Sequence, residues 1–309
     1  MSVGRCLSTL VAAVAVASLP SPAAAQTAGG DAPLATATTV KGKGGWHVGL
    51  IFESRFVPIG AAIRSDVTWR VPLWRAHDHL LLNGTYVEAG FTGQLSPGSA
   101  HPGLMLKVAP VAPLELRVQG QQLRYFGNFG SLAEYEGLDA DWSPDQRREA
   151  WDEGLGRHET GYKFSLEAVL KAKAGPMVAL VEAKHMWVGI PDVAAGNAWY
   201  ESSSDLLVAR EDVIETLNAN LLYLWFGDPS GDEFLMTGVR YEGWRTFETA
   251  EQRQFVTLAG LYRPGWSALR AEHLTFAGLV GVYVDDPYRV GAPYVGLLVS
   301  VTLDGDGAR

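Results

Sequence analysis

Apolar and polar residues alternate with a period of two along most of this chain, and that constrains its fold more than any other feature. In the segment 46–57, Trp46, Val48, Leu50, Phe52 and Phe56 share one face, while His47, Glu53 and Arg55 take the other. In 63–73, Ile63, Val67, Trp69, Val71 and Leu73 oppose Arg64, Asp66, Thr68 and Arg70. In 162–173, Tyr162, Phe164, Leu166, Ala168 and Leu170 alternate with Lys163, Ser165, Glu167, Val169, Lys171 and Lys173. Side chains on a strand point to opposite faces in turn, so this pattern specifies strands with one apolar and one polar side.

Clusters of Pro, Gly and Asp punctuate the pattern at 109–113, 174–176, 227–232, 263–265 and 285–287. Between them we read twelve strands: 46–57, 62–74, 80–94, 103–110, 114–126, 158–173, 177–190, 213–226, 234–246, 254–262, 267–284 and 290–303. The third and tenth alternate weakly, and the eleventh changes phase near His273. Leu206–Ala209 is short and flanked by Ser202-Ser203-Ser204 and Glu211-Asp212, so it is assigned to a loop.

Residues 1–25 have the form of a secretory signal peptide. Arg5 supplies the positive start, Leu7–Leu19 the apolar stretch, and Ala23-Ala24-Ala25 a small-residue cleavage site. Residues 26–44 form a Gly/Ala/Thr-rich leader. The single cysteine, Cys6, leaves with the signal, which excludes a disulfide scaffold and a thiolate site from the mature chain. Losing Arg5 takes the formal charge from −9 to −10. An acidic chain without a basic patch is not expected to bind nucleic acid. With 47% hydrophobic residues the chain is expected to fold.

Two arguments turn exported alternating strands into a membrane barrel. Most segments run ten residues or more, close to the ~9–11 that span a bilayer at a tilt. The connections also sort by parity. The even ones (75–79, 111–113, 174–176, 227–233, 263–266) are short. The odd ones are 58–61, 95–102, 127–157, 191–212, 247–253 and 285–289, and only these include long segments. Short turns on one side and longer loops on the other, with an even strand count, resemble the bacterial outer-membrane β-barrel class over residues 45–303. The last strand is similar to the assembly signal of that class, Tyr294-x-Gly296-x-x-Val299-x-Val301, before a tail at 304–309.

The resemblance implies an all-β fold: a single antiparallel transmembrane β-barrel of about twelve strands, located in the outer membrane. Its implied partners are the barrel-assembly machinery, outer-membrane lipid and lipopolysaccharide. Trp46, Trp74, Trp225 and Trp266 at one set of strand ends, and Trp187 and Trp244 at the other, are expected to form interfacial girdles. A soluble lipocalin-like barrel, apolar inside, is the alternative fold.

In such a barrel the charged faces line the lumen. The candidate lining is Glu53, Arg55, Arg64, Asp66, Arg70, Arg117, Lys163, Glu167, Lys171, Glu182, Lys184, Arg240 and Glu242, with Glu88, Lys107 and Glu115 of the same phase. This set reads either as a channel for small polar solutes, porin-like, or as an ion-pair lattice filling a narrow lumen. The long loops are acidic. Residues 127–157 (Glu134, Glu136, Asp139, Asp141 and Asp145 among them) carry a net charge of −5, and 191–212 (Asp205, Glu211 and Asp212 among them) carry −4. They are expected at the cell surface as solvated loops; the sharper alternative is that they fold over the mouth, packed down by Trp142, Trp151 and Trp199, where their field would favour cations.

Other chemistry is weaker. His77-Asp78-His79 offers two imidazoles and no third ligand. Asp139-x-Asp141-x-Ser143-x-Asp145 has a calcium-loop start, but lacks the glycine at the sixth position and has Ala150 at the twelfth. His185 has an outward phase, whereas Ser165 points inward, so they make no nucleophile–base pair. No cofactor, metal or catalytic residue is assigned. The expected function is passive transport. The alternatives are a non-conducting structural or surface-binding barrel, and an outer-membrane lipid hydrolase.

Overall fold

The computed structural model describes residues 44–56, 59–73, 82, 84–127, 132–229, 233–265 and 273–306. The signal peptide, nearly all of the leader, His77-Asp78-His79, Trp74 and Trp266 lie outside the described residues.

Twelve antiparallel strands close into a barrel. In chain order these are β1 (Gly45–Phe56), β2 (Ile59–Pro72), β3 (Tyr86–Leu95), β4 (Ser99–Val111), β5 (Leu114–Tyr125), β7 (Thr160–Ala174), β8 (Met177–Gly189), β11 (Glu211–Gly227), β12 (Phe234–Thr246), β13 (Gln252–Arg263), β14 (His273–Asp285) and β15 (Pro293–Asp306). Each pairs with its neighbours in sequence order, and β1 pairs with β15 to close the ring. Three further strands, β6 (Glu134–Tyr135), β9 (Ala198–Glu201) and β10 (Leu206–Ala209), make a separate sheet in the order β10-β9-β6. A helix, α1 (Pro144–Asp152), lies between β6 and β7.

The period of two does what the sequence demands. Trp46, Leu50, Phe52, Ile63, Val67, Trp69, Phe91, Leu104, Leu258 and Val280 stand exposed on the outside, while Arg70, Glu88, Lys107, Arg117, Glu167 and Lys184 are buried on the inside. A soluble lipocalin-like barrel would show the reverse. Tight turns link some strands. In the 175–176 turn, Gly175 takes a φ of +58°, a conformation open to glycine at little cost.

Every barrel strand expected from the sequence is present, with several shifted ends. β3 starts at Tyr86 rather than 80, and β4 starts at Ser99 rather than 103. β15 continues to Asp306, pairing Gly45 with Asp306, so the strand runs past the expected boundary at 303. The phase change expected near His273 adjoins 266–272, which lie outside the described residues; a register shift occurs at the other end of β14, where Gln254 pairs with Asp285 but Phe255 pairs with Tyr283. Weak alternation in β13 has a physical cause: its inward face carries Phe255, Ala259 and Leu261, all buried, opposite outward Val256 and Leu258. The pattern fades where both faces are apolar.

Two expectations are corrected. Leu206–Ala209 is strand β10, buried at all four positions. It sits inside the barrel, covered on both faces, so it has no polar side to show. Trp244 belongs to no girdle. It shares the inward parity of Arg240 and Glu242 and donates its indole N–H to Glu242 Oε1 at 2.7 Å.

Candidate functional site

The lumen contains two structures, an ion-pair row on the wall and a plug across its loop end. The row follows from register. Arg70 faces Glu88, Glu88 faces Lys107, Lys107 faces Arg117, Arg117 faces Glu167, and Glu167 faces Lys184, each directly across a strand pair. It continues through Thr216 and Trp244 to Arg253. Strands in a barrel tilt, so a row perpendicular to them climbs the wall. Arg70 lies near the chain-terminal end of β2, and Arg253 near the loop end of β13.

The contacts along the row are close. Arg70 Nη2 is 2.6 Å from Glu88 Oε2, and Thr68 Oγ1 donates to Glu88 Oε1 at 2.8 Å. Lys107 Nζ is 3.5 Å from Glu88 Oε1. Glu115, two residues from Arg117, accepts from Lys171 Nζ at 2.7 Å and from the Tyr86 hydroxyl at 3.0 Å. Arg117 and Lys184 each stand 3.8 Å from Glu167. A buried charge is tolerable when it is paired and hydrogen-bonded. Here the paired groups fill the wall side of the lumen over β2–β8.

The other candidate lining residues are placed as follows. Glu53 pairs with Arg64 at 2.9 Å, and Arg55 donates from Nη2 to the carbonyl of Ser202 at 3.3 Å. Asp66 and Lys163 are half-buried on the lumen face. Glu182 accepts from Asn218 Nδ2 at 3.1 Å, and Arg240 pairs with Glu242.

The plug comes from the long connections β5–β7 and β8–β11. Its β9–β10 hairpin crosses the lumen, and the two sides of the contact differ. On one side an apolar cluster joins plug residues Leu132, Ile190, Val193, Trp199, Leu206 and Val208 to Leu123 and Tyr125 of β5, Met186 and Val188 of β8, and Ile214 of β11. The Trp199 indole donates to the carbonyl of Ala209 at 2.9 Å. On the opposite side the hairpin tip is polar. Asp205 accepts from Arg253 Nη1 at 3.2 Å, from Arg289, and from the Tyr200 hydroxyl at 2.5 Å, with Arg147 of α1 at 3.6 Å. Burial alone would raise the Asp205 carboxyl, but Arg253, Arg289, Arg55 and Arg147 hold it below the usual carboxylate range. Next to it, Tyr125 donates its hydroxyl to Glu201 Oε1 at 3.0 Å. Burial opposes the Glu201 charge too, but Lys163, His101 and hydrogen bonds from Ser204 and Ser203 bring it down to about 2.

The acidic loop residues therefore divide. Asp205, expected on a solvated outer loop, is fully buried as the anchor of an arginine cluster. Asp212 is also buried. It accepts from the backbone N–H groups of Phe247 and Glu248 at 3.0 and 2.9 Å, and so fixes the 247–251 turn. Glu134 binds Arg157, Asn197 and the N–H of Ala194. Glu136, Asp139, Asp141, Asp145 and Glu211 remain exposed. Trp142 and Trp199 are fully buried, which fits the alternative of loops folded over the mouth; the side chain of Trp151 lies outside what is described. The sequence reading missed Arg253 and Arg289. Their parity and loop position were visible, but nothing in the local sequence ties them to Asp205.

Between hairpin tip and wall are small cavities. One, of about 40 Å³, is bounded by Arg55, Arg253, Ser203, Phe255 and Tyr294 among others, and a second, of about 30 Å³, by Lys163, Glu201 and Ser204 among others. Either has room for a few waters at most.

No protein-family model matches the chain, and no curated protein sequence does. Similar solved structures include the β domain of the Bordetella autotransporter BrkA, at 13% identity over 85% of this chain and all of that one, with a TM-score of 0.42. LpxR from Salmonella typhimurium is 11% identical over 83% and 99% of the two chains, with a TM-score of 0.36. An outer membrane channel from Pseudomonas putida F1 is 10% identical over 84% and 96%, with a TM-score of 0.38. None of these lends an activity to this chain. Its own closed sheet, apolar without and charged within, identifies the architecture as that of a bacterial outer-membrane β-barrel of twelve strands.

Proposed function

We propose that the protein is an outer-membrane conduit for small polar solutes that is shut at rest by its own β9–β10 hairpin. One observation carries the reading: the plug is fixed asymmetrically, by apolar packing against β5, β8 and β11 and by ion pairs at its tip. The apolar side is a hinge that water does not compete with, and the polar side is a latch that solvent and solutes can compete for. In this reading the long connections face the cell exterior and the termini face the periplasm. Catalysis has no part in it, and the His185–Glu215 pair, 3.2 Å apart, lies on the lipid-facing side.

The test is conductance in a planar bilayer. The full chain should be silent or open only briefly, and a variant with 197–209 replaced by a short glycine linker should conduct persistently. If the plugless barrel stays silent while remaining folded, the transport reading fails. A non-conducting structural barrel then takes its place, a reading favoured by the buried ion-pair row that fills the wall side below the plug.

A further inference from the structure

The cluster around Asp205 is built like a site for a carboxylate, and three separate parts of the chain supply its guanidiniums. Arg147 comes from α1, Arg253 from β13, and Arg289 from the 286–292 connection. Asp286 compensates Arg289, at 2.9 Å. The guanidinium charge at the cluster therefore exceeds the carboxylate charge. Arg253 is 2% exposed, and its Nε has no hydrogen-bond partner among the described residues. Asp205 itself sits at a φ of +55°, in the left-handed region.

The 40 Å³ cavity shares Arg253 with this cluster and is bounded on another side by apolar groups. Phe255 and Tyr294 stack there with ring centroids 4.4 Å apart, and Leu279 and Leu298 adjoin them. Glu53 and Glu242 also reach the cavity, each already bound to an arginine, Arg64 and Arg240 respectively.

We propose that this cluster and cavity form a binding site for an external carboxylate with an apolar body, such as an aromatic acid, and that Asp205 is its internal occupant while the hairpin is seated. Guanidinium forks hold carboxylates by charge-assisted hydrogen bonds, so the ligand's head group takes the position of Asp205 Oδ1 and Oδ2. Its body takes the wall of Phe255 and Tyr294, in the usual pairing of an apolar lining with a few placed polar groups. A neutral solute displacing Asp205 would leave buried guanidinium charge unbalanced, which is costly, so the site selects anions. The cavity is too small for such a ligand while the hairpin is seated, and binding therefore accompanies withdrawal of the tip. This rests on the conduit reading and names its solute class.

The experiment uses the full chain carrying Asp205→Gly, which removes the carboxylate and suits the left-handed backbone. Calorimetry in detergent should show benzoate binding at least tenfold tighter than to the unmodified chain. Benzamide, of the same shape without charge, should not bind, and adding Arg253→Gln should abolish the benzoate signal. Should Asp205→Gly fail to fold, Asp205→Asn carries the same expectation. Equal binding of benzoate and benzamide, or no benzoate binding to a folded variant, overturns the proposal. Because the readout is binding and not current, a silent plugless barrel would sink the conduit reading without touching this result.

Discussion

Lys107 and Arg117 oppose each other in register across β4 and β5, two buried cations face to face, and Glu115 Oε1 stands 4.0 Å from one and 3.8 Å from the other. Like charges directly opposite destabilise a sheet. The juxtaposition survives because Glu115 answers both and Lys171 as well.

Glu115→Gln should therefore be among the most damaging single changes in the wall. Removing one member of a buried charge network leaves its partners uncompensated, at a cost of about 3–5 kcal/mol. Glu88 and Glu167 still serve Lys107 and Arg117, which places the expectation at the lower end. Urea unfolding in lipid vesicles measures it, with exposed Glu136→Gln as the control expected within about 0.5 kcal/mol of the unmodified protein. Equal stability of the two variants would mean the row contributes nothing.

The latch should fail in acid. Asp205 and Glu201 both have carboxyls depressed in the folded state, below their unfolded values near ~4. For a depressed carboxyl, the stabilisation is present above the unfolded pKa and is lost as pH falls through the folded one. The plug should stay seated from neutrality to pH ~4 and loosen as the pH falls further. Conductance against pH reads this directly. Asp205→Asn should weaken closure already at neutral pH and flatten the acid dependence. An unchanged profile in that variant would show that Asp205 does not hold the plug.

The exterior should behave as lipid-facing. Leu258 is 69% exposed at mid-strand, between Val239 and Val280 on the neighbouring strands. Leu258→Arg should cost about 2–4 kcal/mol in vesicles, the penalty for arginine near the bilayer midplane. A variant as stable as the parent would place this face outside the hydrocarbon.

The wall was largely legible in the sequence because a strand with lipid on one side and charge on the other must alternate. That rule found β1, β2 and β7 almost residue by residue. It also contained the answer for Trp244, which has the parity of Arg240 and Glu242, although a preference for interfacial tryptophan pointed the other way. Loops packed over the mouth by Trp142 and Trp199 were within reach of the sequence, but the plug's strands and its anchor were not, for an equally physical reason. Leu206–Ala209 is covered on both faces, so it shows four apolar residues and no period. Asp205 reads like any loop aspartate, because its partners Arg253 and Arg289 lie 48 and 84 residues away in the chain.

The hairpin tip also bears on how the ring is made. The junction of β1 with β15 joins the two ends of the barrel chain, so it is the pairing that must wait longest and whose closure restricts the most chain. The tip reaches residues on both sides of that seam: Ser202 accepts from Arg55 on β1, and Asp205 binds Arg289 in the connection leading into β15. A seated hairpin thus bridges the first strand and the approach to the last, and its contacts favour their pairing. A barrel denied Asp205 should therefore circularise more slowly, visible as late appearance of its heat-modifiable form.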